Sequence, residues 1–90
     1  MKYFEWDPEK NRQLLEEREI SFEDVVYFLL NDGLLDDIVH PNQEKYPNQR
    51  VFIVNVDDYV YLVPNVDSKN TAVLKTVIPS RKATKKYLGE

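Results

Sequence analysis

RVFIVNVDDYVYLVPNV, residues 50–66, is two runs of β-branched and aromatic side chains joined by a pair of aspartates. Such runs pack well on a pleated surface, and two of them split by Asp57-Asp58 predict an antiparallel hairpin with a tight turn. Pro64 has no N–H to give a ladder, so it marks an edge or a bulge near the end of the second strand. Downstream, Asp67 to Asn70 turn the chain and Thr71 to Ile78 form another strand that Pro79 closes, after which Ser80 caps a helix over Arg81 to Leu88. Upstream, Leu34 to His40 is a strand carrying two acids, and the Pro- and Asn-containing segment 41–49 is a loop.

Two helices precede the hairpin. Asp7-Pro8 is an N-cap and first-turn pair that ends a short strand at Lys2 to Trp6 and opens a surface helix over about 8–18. Ser21 with Asp24 three residues on forms a capping box, and Ile20 and Val25 stand where a hydrophobic staple requires them. The second helix, about 21–31, presents Phe22, Val25, Val26, Leu29 and Leu30 on one face, and Asn31-Asp32-Gly33 suits a left-handed turn at its end. The order β-α-α-β-β-β-β-α has no βαβ rhythm. It predicts a single α+β domain over residues 1–90, an antiparallel sheet with helices packed on one face.

Composition narrows the chemistry. Ninety residues with no cysteine and one histidine exclude a disulfide framework and a thiolate or multi-histidine zinc site. Two glycines, Gly33 and Gly89, supply no phosphate-binding loop, and no serine stands in a nucleophile elbow. No apolar stretch approaches the roughly 20 residues of a membrane span, and the opening lacks a signal-peptide core, so a cytoplasmic protein with no membrane partner and no cofactor is expected. The net charge of −4 is unevenly spread: residues 1–68 hold 6 Lys+Arg against 15 Asp+Glu, and residues 69–90 hold 6 against Glu90 alone.

The basic tail is the feature that folding alone does not ask for. Arg81 and Lys82 fall in the first turn of a helix, where positive charge opposes the macrodipole; beside free backbone N–H groups they suit a phosphodiester. Asp36-Asp37 and Asp57-Asp58 are read as solvated-face and turn residues rather than metal ligands, and His40 as a surface residue with acid or base chemistry as the alternative.

Three segments together resemble the BrnT family of type II toxins, small ribonucleases with a RelE-like fold: FEWDPEKN at residues 4–11, ISFEDVV at 20–26 and IPSRKAT at 78–84, with Glu19 where the family has a glycine. The resemblance implies an RNA-cleaving toxin that inhibits translation and is neutralised by a ribbon-helix-helix antitoxin. It carries the family's last-strand basic residue onto Lys75, the arginine of its final motif onto Arg81, and its opening motif onto Lys10 and Asn11. Arg50, Lys82 and Lys85 are further candidates for RNA contact. Lys75 and Arg81 would stabilise the phosphorane-like transition state of attack by a ribose 2′-hydroxyl, without a metal. The general base is unassigned between His40 and a tyrosine. A non-catalytic interaction module on the same fold is the alternative that the acidic body favours, and an open sheet edge makes a homodimer an expectation as well.

Overall fold

The computed structural model describes residues 3–89, and within them the two helix starts are built as the sequence demands. β1 (Tyr3–Glu5) leads to α1 (Pro8–Arg18), where the Asp7 side chain accepts the Glu9 N–H and Pro8 occupies the first turn. In α2 (Phe22–Leu30) the Ser21 hydroxyl accepts the Asp24 N–H while the Asp24 carboxylate accepts that of Ser21, so the capping box is closed in both directions. Ile20 and Val25 are both buried, completing the staple.

The helix faces are narrower than their apolar residues suggest. Leu14 is buried but Leu15 is 49% exposed, and of the α2 stripe only Phe22 and Val25 are fully covered, with Leu30 68% exposed. Each of the two covered side chains contributes about 1.5–3 kcal/mol by leaving water.

The remaining elements are β2 (Leu34–Val39), β3 (Gln49–Val56), β4 (Tyr59–Asp67), β5 (Thr71–Leu74), β6 (Ile78–Pro79) and α3 (Arg81–Leu88). The architecture is α+β, with a six-stranded, mostly antiparallel sheet in the order β1-β5-β4-β3-β2 and β6 added on β4. The hairpin is present as expected: Asp57 and Asp58 take φ of 51° and 66°, the left-handed pair that a two-residue turn needs to match strand twist.

Three expectations are corrected. First, the strand expected over 71–78 is two strands, and Pro64 is the reason. Pro64 pairs with Val51 in the middle of the sheet rather than at an edge, and its carbonyl accepts the Lys75 N–H at 2.8 Å. A strand residue points its C=O and N–H to the same side, so the missing N–H falls on that flank, where β5 ends and β6 has yet to begin. Second, the sheet is not wholly antiparallel, because β1 pairs with β5 in parallel, Phe4 opposite Ala72. The left-handed turn expected of Asn31-Asp32-Gly33 is present. Asp32 takes φ 66°, and Gly33 is needed because its backbone lies against Phe28 and Asn55, whose carbonyl oxygens would stand 2.5 and 2.9 Å from a Cβ.

The third concerns the helices, which lie on both faces. Leu14, Phe22 and Val25 pack with Phe52, Val54, Val63 and Leu74 on one face. Ala83, Tyr87 and Leu88 of α3 pack on Val51, Ile53, Val60 and Leu62 on the other. Strand alternation produced two apolar faces here, because β3 is buried at nearly every position from Val51 to Val56. The start of α3 is fastened where β6 stops: Val60 donates its N–H to the Thr84 hydroxyl at 2.9 Å and accepts from the Ser80 N–H at 3.0 Å. One short helix thereby closes part of the second face and leaves the rest open.

Candidate functional site

The uncovered part of the α3 face is a groove of three adjoining cavities. At one end a 430 Å³ cavity is lined by His40, Tyr46, Gln49, Pro64, Lys75, Thr76 and Ile78. It shares His40, Pro64 and Ile78 with a 270 Å³ cleft whose floor is Ile38, Val51, Ile53 and Leu62. That cleft in turn shares Ile38, Ile53 and Leu62 with a 200 Å³ hollow walled by Lys82, Lys86 and Tyr87 of α3. None of the described residues lining the groove is acidic, in a chain whose formal charge is −4.

Each wall has a local cause. The loop after β2 is folded on itself by Tyr46 N–H to Asn42 C=O at 2.9 Å, and this brings the Tyr46 ring against His40, centroids 4.5 Å apart. The Asn42 N–H donates to Nδ1 of His40 at 3.0 Å. With Nδ1 accepting, the ring proton sits on Nε2, so the imidazole offers a donor at its other edge. Lys75 enters the cavity because the Pro64 flank turns the chain out of the ladder after β5. On α3, Lys82 and Lys86 are four residues apart and share the groove side, whereas Arg81 and Lys85 form a second, exposed stripe outside it. Tyr87 donates its hydroxyl to the Asp36 carboxylate at 3.1 Å; its burial, and then that bond, push the phenol pKa up and keep the donor protonated.

The structure therefore brings His40 and Lys75 to one cavity and sets Lys82 at the far end of the same groove, with Arg81 and Lys85 on the helix beside it. It does not bring the other three candidates there. Lys10 and Asn11 belong to α1, on the opposite face. The Asn11 amide is engaged, its carbonyl oxygen accepting the Phe22 N–H at 2.7 Å and its NH₂ donating to Glu23. Its work is to lock α1 onto the start of α2. Arg50 is one residue out of phase with Val51 and Gln49, so it points to the α1 and α2 face, where it pairs with Asp37 at 2.8 Å.

Sequence reasoning missed Tyr46, Gln49 and Lys86. Gln49 carried a usable signal: it is two residues before Val51, so any strand extended to residue 49 puts it on the Val51 side. Tyr46 carried none, because its placement depends on a loop hydrogen bond. The aspartate pairs are accounted for by Tyr87, Arg50 and the hairpin turn. A contrasting acidic region surrounds the hairpin turn, where Glu19, Asp24 and Asp57 line a 340 Å³ cleft with Tyr59 and Tyr61. No helix among the described residues is long and apolar enough to cross a membrane. Comparison with protein-family models, with curated proteins and with solved structures finds no match to this chain.

Proposed function

We propose that the groove on the α3 face binds single-stranded RNA, and that the chain cleaves it without a metal as a BrnT-like toxin of a type II pair, held in check by a ribbon-helix-helix antitoxin. The observation that carries this reading is the His40 and Lys75 cavity opening onto an acid-free groove bordered by Lys82 and Lys86. An apolar floor between cations suits a chain of stacked bases with phosphates along its rims. The resemblance of residues 4–11, 20–26 and 78–84 to that toxin family adds independent support for the activity.

In the reaction the ribose 2′-oxygen bonds to the adjacent phosphorus as the bond to the 5′-oxygen breaks, leaving a 2′,3′-cyclic phosphate and a 5′-hydroxyl. Solvent accepts the 2′ proton and returns one to the 5′-oxygen. Lys75 Nζ and the Nε2–H of His40 stabilise the charge on the non-bridging oxygens. His40 serves as a donor in this scheme rather than as the base, since the Asn42 amide occupies Nδ1. Arg81 and Lys85, on the outer stripe of α3, hold backbone phosphates beyond the reacting one.

Induced expression in bacteria tests the reading. Growth arrest with fragmented RNA is expected from the native chain, and neither is expected from folded Lys75→Ala or His40→Ala variants. Normal growth and intact RNA from folded native protein would favour the alternative, a non-catalytic interaction module, for which the acidic cleft of Glu19, Asp24 and Asp57 is the supporting feature.

A further inference from the structure

Gln49 is the side-chain amide in the lining of the 430 Å³ cavity, and it has no part in the cleavage chemistry. Its backbone is fixed on both sides by the aromatic wall: its N–H donates to the Tyr46 carbonyl at 3.2 Å and its carbonyl accepts the His40 N–H at 2.9 Å. Its side chain is half-buried and makes no hydrogen bond among the described residues. An amide offers one acceptor and one donor group side by side, which is a base-reading geometry, and the adjoining His40 and Tyr46 rings offer a surface for stacking. A cavity of this size falls within the range that holds a small ligand such as one nucleotide.

We infer that this cavity is a base-specific subsite and that Gln49 selects adenine within it. The inference rests on the groove being an RNA site and adds the identity of the base. Adenine presents N6–H₂ and N7 together, a donor and an acceptor, which the Gln49 carbonyl and NH₂ match as a pair. Guanine and hypoxanthine present two acceptors, O6 and N7, on that edge, so one of the two contacts becomes repulsive. Pyrimidines offer a smaller ring to the stacking wall. Lys75, lining the same cavity, takes the phosphate that flanks the selected base.

Binding of 2′-O-methyl hexanucleotides to the full chain tests this, because the blocked 2′-oxygen removes cleavage from the readout. Oligo(A) is expected to bind about tenfold more tightly than oligo(I) or oligo(U), the discrimination typical of one bidentate base contact. Gln49→Leu is expected to erase the preference for oligo(A) over oligo(I), the part of the spread that the amide sets, while leaving the salt dependence of binding unchanged. Gln49→Glu, of the same size but without the NH₂ donor, is expected to lose adenine preference as well. An unchanged spread in folded Gln49→Leu, or native protein binding inosine or uridine as tightly as adenosine, would overturn the base assignment while the groove still bound RNA. Absence of salt-dependent binding to all three would overturn the groove reading itself, and the assignment with it.

Discussion

Glu19 holds φ 56° at the end of α1, a left-handed conformation that costs a residue with a Cβ about 1–2 kcal/mol and glycine much less. Its N–H nonetheless closes the helix on the Leu15 carbonyl at 3.2 Å, so the cap itself is made. Glu19→Gly is therefore expected to stabilise the chain by about 1 kcal/mol, a rise of roughly 5 °C in Tm for a domain of this size, read by thermal unfolding. Gly33 is the reverse case, with two carbonyl oxygens waiting where a Cβ would go. Gly33→Ala must push the end of α2 away from β3. A loss of about 1–3 kcal/mol is expected by denaturant titration, and an unchanged midpoint would show that the backbone yields freely there. The two positions illustrate what one chain of letters carries: a glycine marks backbone need, but whether the need is a torsion or a lack of room is decided by the carbonyls packed against it, here those of Phe28 and Asn55.

Among the elements, α3 is attached to the sheet through Ala83, Thr84, Tyr87 and Leu88. Its phenol-to-carboxylate bond from Tyr87 to Asp36 ties it to β2. Because the folded phenol pKa is raised above its usual value near 10, the contribution of this bond is complete below that pH and is lost as pH rises through the folded value. The native chain is accordingly expected to lose more stability than Tyr87→Phe across alkaline pH, measured as the difference between their denaturant midpoints. The helix boundaries, the caps and the hairpin were legible because each is written within a few residues. The side of the sheet taken by α3 was not, since β3 is apolar on both faces and alternation gives no preference. The same limit separated the site residues: Lys75 and His40 meet across the sheet through the break at Pro64, while Arg50 lost its place to a single step of strand phase.

For the whole molecule, charge is sorted by position. The hairpin end gathers Asp57, Asp58 and Asp32 with Asn55 around a 310 Å³ hollow, adjoining the cleft that holds Glu19 and Asp24. The groove face holds lysines and no acid among its described lining residues. An anion approaching a chain of charge −4 is repelled at long range and meets clustered lysines at that face, so binding is expected to be orientation-dependent. Five neutralised phosphates, at Lys75, Lys82 and Lys86 of the groove and at Arg81 and Lys85 of the outer stripe, predict a slope of roughly −3.5 for log affinity against log salt with single-stranded RNA. Lys82→Ala should reduce that slope by about 0.7, and Asp57→Asn should leave it unchanged. The sheet edges are set against casual pairing, which bears on the homodimer expectation. β1 is three residues long, and β2 carries Asp36 and Asp37 beyond an irregularity in register.

The parallel pairing of β1 with β5 also sets an order of events in time. Tyr3 lies opposite Thr71, so β1 has no strand partner until synthesis has reached Thr71. At about 5–20 residues per second, that interval is roughly 3–14 s. The hairpin of β3 and β4, closed by a two-residue turn, forms its contacts at short loop cost, whereas β1 waits for the most distant closure in the sheet. A nascent chain of this protein therefore carries the backbone of β1 unpaired until β5 emerges, and a strand made before the hairpin is the last to join the sheet.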